Sequence, residues 1–152
     1  MAVENVVVDG GTVRFTPSGF SITGIATATL SANSGTKVQK GNDKAILSNH
    51  QWSSVQSNTV GYTVPSGGFT ATPGSGTFRA SSISSGIATN MKSGTTSVIL
   101  ESASGSAIFD ISSPALNPQG TPDPIYATGP KTRPGDWEVT DNGQGNVKLK
   151  SD

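Results

Sequence analysis

Residues 33–50, Asn33-Ser-Gly-Thr-Lys-Val-Gln-Lys-Gly-Asn-Asp-Lys-Ala-Ile-Leu-Ser-Asn-His50, contain a short alternating run, a Gly41-Asn42-Asp43 turn and at once a second short strand, Lys44 to Leu47. Two strands this close, joined by residues that tolerate positive φ, make a tight β-hairpin.

The same grammar extends in both directions. Val6-Val7-Val8 runs into Asp9-Gly10-Gly11, a turn, and Thr12 to Thr16 resumes in alternation. Val13 and Phe15 then share one side of a strand, with Thr12, Arg14 and Thr16 on the other. Phe20 to Leu30 alternates again, offset at Gly24, which reads as a bulge. Trp52 to Val64 is expected to form a polar strand pair with apolar points at Val55, Val60, Tyr62 and Val64. Pro65 to Gly68 and Pro73 to Gly76 read as turns bracketing a strand at Phe69 to Thr72. Thr95 to Leu100 and Ala107 to Ile111 read as two strands joined by the turn-rich Glu101 to Ser106. No amphipathic helical stripe exceeds a turn or two, so the expected fold is all-β: one small domain of short strands and hairpins.

Faint internal repetition accompanies this pattern. Ser-Gly-Thr opens at Ser34, Ser75 and Ser93, and Ala45-Ile46-Leu47 is echoed by Ala107-Ile108-Phe109. The spacing is uneven, which excludes a regular solenoid.

Composition narrows the function. Of 152 residues, 32% are hydrophobic, only 13% are charged and 19 are glycine, with a formal net charge of zero. Small Ser, Thr and Gly side chains in place of bulk suit a rigid, turn-dense β protein. Neutrality argues against nucleic acid as a partner, because phosphate binding needs clustered cations. Lys37, Lys40 and Lys44, interrupted by Asp43, read instead as a hairpin edge kept soluble by charge. The absence of cysteine removes disulfides and thiolate metal sites. Met-Ala-Val-Glu-Asn lacks the basic start and apolar core of a secretory signal, and no apolar window approaches the roughly 18 residues of a membrane span. The chain is expected to be made soluble, and any exit from the cell would use a route other than an ordinary signal.

The C-terminal part changes character. Six of the nine prolines fall between Pro114 and Pro134, marking an extended strap. The chain therefore divides into a β-rich body at 1–113, a Pro-rich strap at 114–135 and a terminal hairpin or extension at 136–152. Trp137, Val139, Val147 and Leu149 would give that hairpin one apolar face.

Catalytic constellations are missing. The lone His50 without cysteine does not fill a tetrahedral metal shell, so it reads as structural and only remotely as a ligand; no cofactor is expected. No Gly-x-Ser-x-Gly elbow accompanies the many serines. Asp9, Asp43, Glu101, Asp110, Asp123, Asp136 and Glu138 read mostly as turn and cap residues. The chain reads as a non-enzyme.

Val-Val-Val-Asp-Gly-Gly at 6–11, Lys-Val-Gln-Lys-Gly-Asn-Asp-Lys-Ala-Ile-Leu at 37–47, the Ser-Gly-Thr openings and Ser-Pro-Ala-Leu-Asn-Pro at 113–118 together resemble the PAAR-repeat and PAAR-like spike-tip proteins of contractile injection systems: type VI secretion systems, phage tails and extracellular contractile particles. The resemblance covers about the first two thirds of the chain. It implies a small cone of hairpins whose base sits on a trimeric spike, one tip per trimer, with transient contact with a target membrane and room for effector cargo. It also implies assembly in a bacterial cytoplasm without a signal peptide, then release or secretion with the particle. The Pro-Ala-Ala-Arg motif and the histidine and cysteine ligands of an apex metal are absent, so the likeness is to a metal-free tip. Val38, Ile46 and Leu47 are the expected contacts with the spike or the core behind it.

Two other readings compete. A carbohydrate- or surface-binding fibre or adhesin module would use Trp52, Tyr62, Tyr126 and Trp137 as an aromatic platform. A capsid or tail decoration protein would differ from a tip in copy number.

Overall fold

Thr96–Ser113 form one uninterrupted strand of 18 residues, and the rest of the fold is arranged along it. The structure, a computed structural model, describes residues 4–32, 36, 39–40, 43–144 and 150–151. In chain order its strands are β1 (Glu4–Asn5), β2 (Thr12–Pro17), β3 (Ser21–Thr23), β4 (Ala26–Thr29), β5 (Gln39–Lys40), β6 (Asp43–Lys44), β7 (Val60–Val64), β8 (Phe69–Ala80), β9 (Ser85–Ser93), β10 (Thr96–Ser113), β11 (Thr132–Asp141) and β12 (Lys150–Ser151). A single helical turn, α1 (Pro124–Ala127), accompanies them. The expected all-β single domain is what the chain forms.

Seven strands make the main sheet in the order β3-β7-β8-β10-β11-β2-β4, each antiparallel to its neighbours, with β9 attached to β10. The edge strands β3 and β4 are separated in sequence by Gly24 and Ile25 alone, so the sheet must curl until its edges approach. The result is a half-barrel. Gly24, at φ +81°, makes the step between the edges. Asn58 closes the seam: its Oδ1 accepts from Thr27 N and its Nδ2 donates to Ile25 O, both at 3.2 Å.

The barrel interior is aromatic. Phe15 stacks on Phe78 at 5.4 Å between centroids, Phe78 tilts against Phe109 at 4.8 Å, and Tyr62 meets Phe109 edge-on at 5.3 Å. Along β2, Val13 and Phe15 face in and Arg14 and Thr16 face out, as alternation predicts.

Two readings of small residues differ from the structure for one physical reason. Pro73 to Gly76 is no turn but part of β8. Gly74 and Gly76 face the interior in phase with Phe78, and aromatic rings occupy the space their side chains would need. A Cβ on Gly74 would lie 2.4 Å from Tyr62 Cε1, and one on Gly76 2.7 Å from Phe109 Cζ. Glu101 to Ser106 is no turn either, since β10 runs straight through it. A Cβ on Gly105 would sit 1.9 Å from Ser82 O and 2.7 Å from Trp137 Nε1. Glycine here permits close approach of backbone and ring. Asp110, Asp136 and Glu138 likewise lie in strands, with Asp110 paired to Arg79 at 2.8 Å.

Two further segments differ from expectation. Trp52–Ser54 form a 3₁₀ turn in place of a strand, and only β7 follows. Trp137 sits in β11, between β10 and β2 in the main sheet: Gly105 is opposite it on one side and Phe15 on the other. Lys150–Ser151 pair with Glu4–Asn5. Val147 and Leu149, assigned by sequence to a terminal hairpin, lie outside the described residues.

The Pro-rich strap is pinned to the barrel mouth. Leu116 bridges both Thr72 and Pro122. Asp123, 1% exposed, caps α1 by accepting from Ile125 N at 3.2 Å and binds the Arg133 guanidinium.

Candidate functional site

Three apolar tripeptides form the most regular feature of the molecule: Val6-Val7-Val8, Ala45-Ile46-Leu47 and Val98-Ile99-Leu100. Each pairs antiparallel with the other two, through Val6 opposite Leu100, Val8 opposite Ala45 and Leu47 opposite Val98. Every pairing therefore joins the last residue of one segment to the first of another, and the three close into a triangle.

The hydrogen bonds follow the same cycle. Val7 N donates to Ile99 O at 3.1 Å, Ile99 N to Ile46 O at 3.0 Å, and Ile46 N to Val7 O at 2.9 Å. Asp9 N to Lys44 O at 2.8 Å and Ser48 N to Ser97 O at 2.9 Å extend two of the corners. One chain thus builds a ring with approximate threefold symmetry.

Alternation sorts the side chains of the ring. The central residues, Val7, Ile46 and Ile99, are fully buried and join the barrel core. Val6, Val8, Ala45, Val98 and Leu100 form a second cluster with Ala88 of β9, and Leu47 and Met91 pack against it half-buried. Two layers of apolar contact therefore hold the ring from opposite sides.

Chain direction repeats as well. Each tripeptide is entered from a two-stranded ribbon: β1 with β12, β5 with β6, and the β9–β10 pair at Ser93 and Thr96. Each is left toward the barrel, by Asp9 into β2, by Ser48 toward Trp52, and by Glu101 along β10. Glu101 also ties two neighbours together, since its Oε2 accepts from Asn5 Nδ2 at 3.0 Å and Asn142 Nδ2 at 3.1 Å. A polar cleft of about 340 Å³ lies beside it, lined by Val139, Thr140, Asp141 and Asn142.

The residues singled out by sequence fall around this ring. Ile46 is one of its three central residues and belongs to the core. Leu47 is a corner residue, half-buried in the second cluster. Val38 lies outside the described residues. His50 follows the second segment, 9% exposed, with its ring edge-on to Trp52 at 5.2 Å. Burial holds its pKa below the ordinary histidine value. Trp52 in turn stacks on Trp137 at 4.8 Å. Among the described residues, no group of three or more His, Asp or Glu is placed to hold a metal ion.

An aromatic platform for sugars is not formed by the residues proposed for it. Trp52, Tyr62 and Trp137 are buried in the core, and Lys131 covers the face of Tyr126 at 4.8 Å. Among the described residues, no helix is long and apolar enough to cross a membrane.

Sequence reasoning caught one side of the ring and missed the ring itself. Ala107-Ile108-Phe109, the match to Ala45-Ile46-Leu47 by sequence, lies in the barrel, where Ala107 faces Ala80 and Gly135. Ser75 sits inside β8, Ser93 ends β9, and Ser34 lies outside the described residues. The usable signal was an apolar tripeptide with a polar pair before it and a polar residue after it, found at 4–9, 43–48 and 96–101.

Among curated proteins the chain has no match. Residues 1–149 match the family described as contractile injection system spike tip protein, and that span is nearly the whole chain. A β body ending in a ring of approximate threefold symmetry is consistent with that match, and the chain belongs to the contractile injection system spike tip family.

Proposed function

We propose that the chain caps the trimeric spike of a contractile injection machine as a single copy, and that its work is mechanical piercing of a target membrane, not catalysis. The observation that carries this reading is the ring of Val7, Ile46 and Ile99. A monomer seated on a threefold partner meets three identical surfaces, and it can use them all only if its own surface repeats three times. Three strand segments from distant parts of one chain meet that requirement.

Mechanical service is supported by the construction. Backbone hydrogen bonds link each ring segment to both others, so no single segment detaches without breaking two pairings. A cap also covers the open strand ends of a trimeric β-structure, which would otherwise invite edge-to-edge association.

Co-purification with the spike of the same particle tests the reading. One tip per spike trimer is expected, together with loss of target-cell killing on deletion of the gene. Three tips per trimer, as a decoration protein would give, or killing unchanged by the deletion, would overturn it.

A further inference from the structure

We propose that Asn142 is a latent deamidation site. The closed ring keeps its amide unreactive. Opening of the corner where Val6 meets Leu100 lets it convert to aspartate or isoaspartate, and the corner then cannot close in its original form.

Asn142-Gly143 is the one Asn-Gly pair of the chain. In such a pair the next backbone nitrogen reaches the side-chain carbonyl carbon easily, because glycine has no Cβ to obstruct it. The fold nevertheless requires both residues. Gly143 stands at φ +80°, and a Cβ there would lie 2.8 Å from Gly11 N and 3.0 Å from Val8 O. Asn142 must donate and accept at once: its Nδ2 donates to Glu101 Oε2 at 3.1 Å, and its Oδ1 accepts from Gln144 N at 2.9 Å. An aspartate in its place has no donor for Glu101.

The same contacts hold the reaction back. Asn142 is 8% exposed, and both ends of its amide are engaged. The attacking atom, Gly143 N, donates instead to Asp141 Oδ1 at 2.8 Å, so its proton is held by a carboxylate. The segment also clamps the ring. Asn142 O accepts from Val8 N at 2.9 Å, and Gln144 Nε2 donates to Val6 O. Glu101 follows Leu100 directly, and Val6 pairs with Leu100, so residues 142–144 fasten the corner between the first and third tripeptides.

Once the clamp opens, Gly143 N attacks Asn142 Cγ. The N–Cγ bond forms, the Cγ–Nδ2 bond breaks, and ammonia leaves with the proton of Gly143 N. Water then opens the cyclic imide at either carbonyl, returning a proton to the nitrogen and leaving a carboxylate at position 142. The aspartate product sets that carboxylate against Glu101, a like-charge contact in a poorly solvated place. The isoaspartate product adds a methylene to the backbone between the Val8 and Gln144 contacts. Either way, an opening of the corner is recorded covalently.

The full chain is incubated at mildly alkaline pH, folded or unfolded in urea, and the peptide carrying position 142 is followed by mass spectrometry. Deamidation of the folded chain is expected to be at least about tenfold slower than in urea, since the site is reached only through an opening of the fold. Asp141→Ala, which frees Gly143 N, is expected to raise the ratio of folded to unfolded rate. Equal rates in the folded and unfolded parent chain overturn the latency, and an unchanged ratio in Asp141→Ala overturns the hold on Gly143 N. Chain deamidated in urea and then refolded is expected to melt below chain refolded without ageing, and equal melting overturns the claim that the corner cannot reclose. Asn142→Asp is expected to reproduce the loss, and adding Glu101→Gln to recover part of it, or to restore folding where Asn142→Asp alone does not fold. No recovery overturns the clash of carboxylates as the cause.

Discussion

Arg133 grips Asp123 with two guanidinium nitrogens, Nε at 3.0 Å and Nη2 at 2.6 Å, and thereby joins the start of β11, which the sequence had placed at the end of the Pro-rich strap, to the rest of that strap. Tyr62 completes the cluster. Its hydroxyl donates to Asp123 Oδ2 at 3.3 Å and accepts from Ala115 N at 3.1 Å, so strap and barrel share one polar knot in an aromatic surround.

Both charged side chains are nearly out of water, at 10% and 1% exposure. Removing one partner strands the other as an unpaired buried charge, which typically costs about 3–5 kcal/mol. Arg133→Met and Asp123→Asn are each expected to lose stability of that order in urea melts. The double variant is expected to lose less than the sum, because the stranded charge is gone. Additive losses would show that the two side chains are not energetically coupled.

The three central ring residues occupy equivalent positions, all fully buried. Ile46→Ala and Ile99→Ala should each cost about 2–5 kcal/mol by cavity formation, and Val7→Ala somewhat less because less volume is lost. Leu47→Ala, at a half-buried corner, should cost clearly less than Ile46→Ala. Equal losses at 46 and 47 in chemical denaturation would contradict the division of the ring into core and corner positions.

Gly105 admits the Ser82 carbonyl and the Trp137 indole where a side chain would stand. Gly105→Ala forces β10 and the 81–84 segment apart and breaks the Trp137 Nε1 bond to Ser82 O, now 2.9 Å. The expected result is a lower melting temperature with a shifted tryptophan emission. Gly76→Ala should act on the Phe109 ring in the same way, with less effect on tryptophan. Wild-type melting and emission in Gly105→Ala would refute this account of the glycine.

His50 is held below its ordinary pKa by burial. In the unfolded chain it binds a proton near the ordinary histidine value of 6.5, so below that pH the unfolded state holds more protons than the folded one. Stability should therefore fall as pH drops through that value toward the depressed folded pKa, and be indifferent to this residue above it. His50→Gln should remove that part of the acid sensitivity. An unchanged difference between stability at neutral and mildly acid pH would show that His50 does not supply it.

Asn58 takes the place of a neighbouring strand at the seam between β3 and β4. Asn58→Ala frees Thr27 N and Ile25 O on an edge that also exposes Ile25, at 58%. Free edges with apolar side chains template association. Concentration-dependent dimers or larger species are expected by light scattering, where the parent chain stays monomeric. A monomeric Asn58→Ala variant would show that the seam is closed without this side chain.

Local patterns predicted much of this fold because local sterics decide them. The alternation of Val13 and Phe15 with Arg14 and Thr16 follows from strand geometry, whereas Phe20 to Leu30, read as one strand bulged at Gly24, splits there into the two edge strands β3 and β4. The same reasoning failed at Pro73 to Gly76 and at Glu101 to Ser106. Glycine and serine in a row are as compatible with close packing as with turning, and nothing nearby in sequence distinguishes the two. Asp123 was legible as a turn or cap residue, but not as half of a buried ion pair, because Arg133 reaches it only once the strap has folded back.

By itself the sequence determined that this is a neutral, cysteine-free, all-β chain of the spike-tip kind, since composition, periodicity and short motifs act residue by residue. Tertiary structure alone decided the site. Val6–Val8, Ala45–Leu47 and Val98–Leu100 are separated by dozens of residues, and no local preference of any of them encodes the other two. Their triangle exists because the barrel brings the three strands to one place, where the central residue of each donates a backbone hydrogen bond to one neighbour and accepts one from the other.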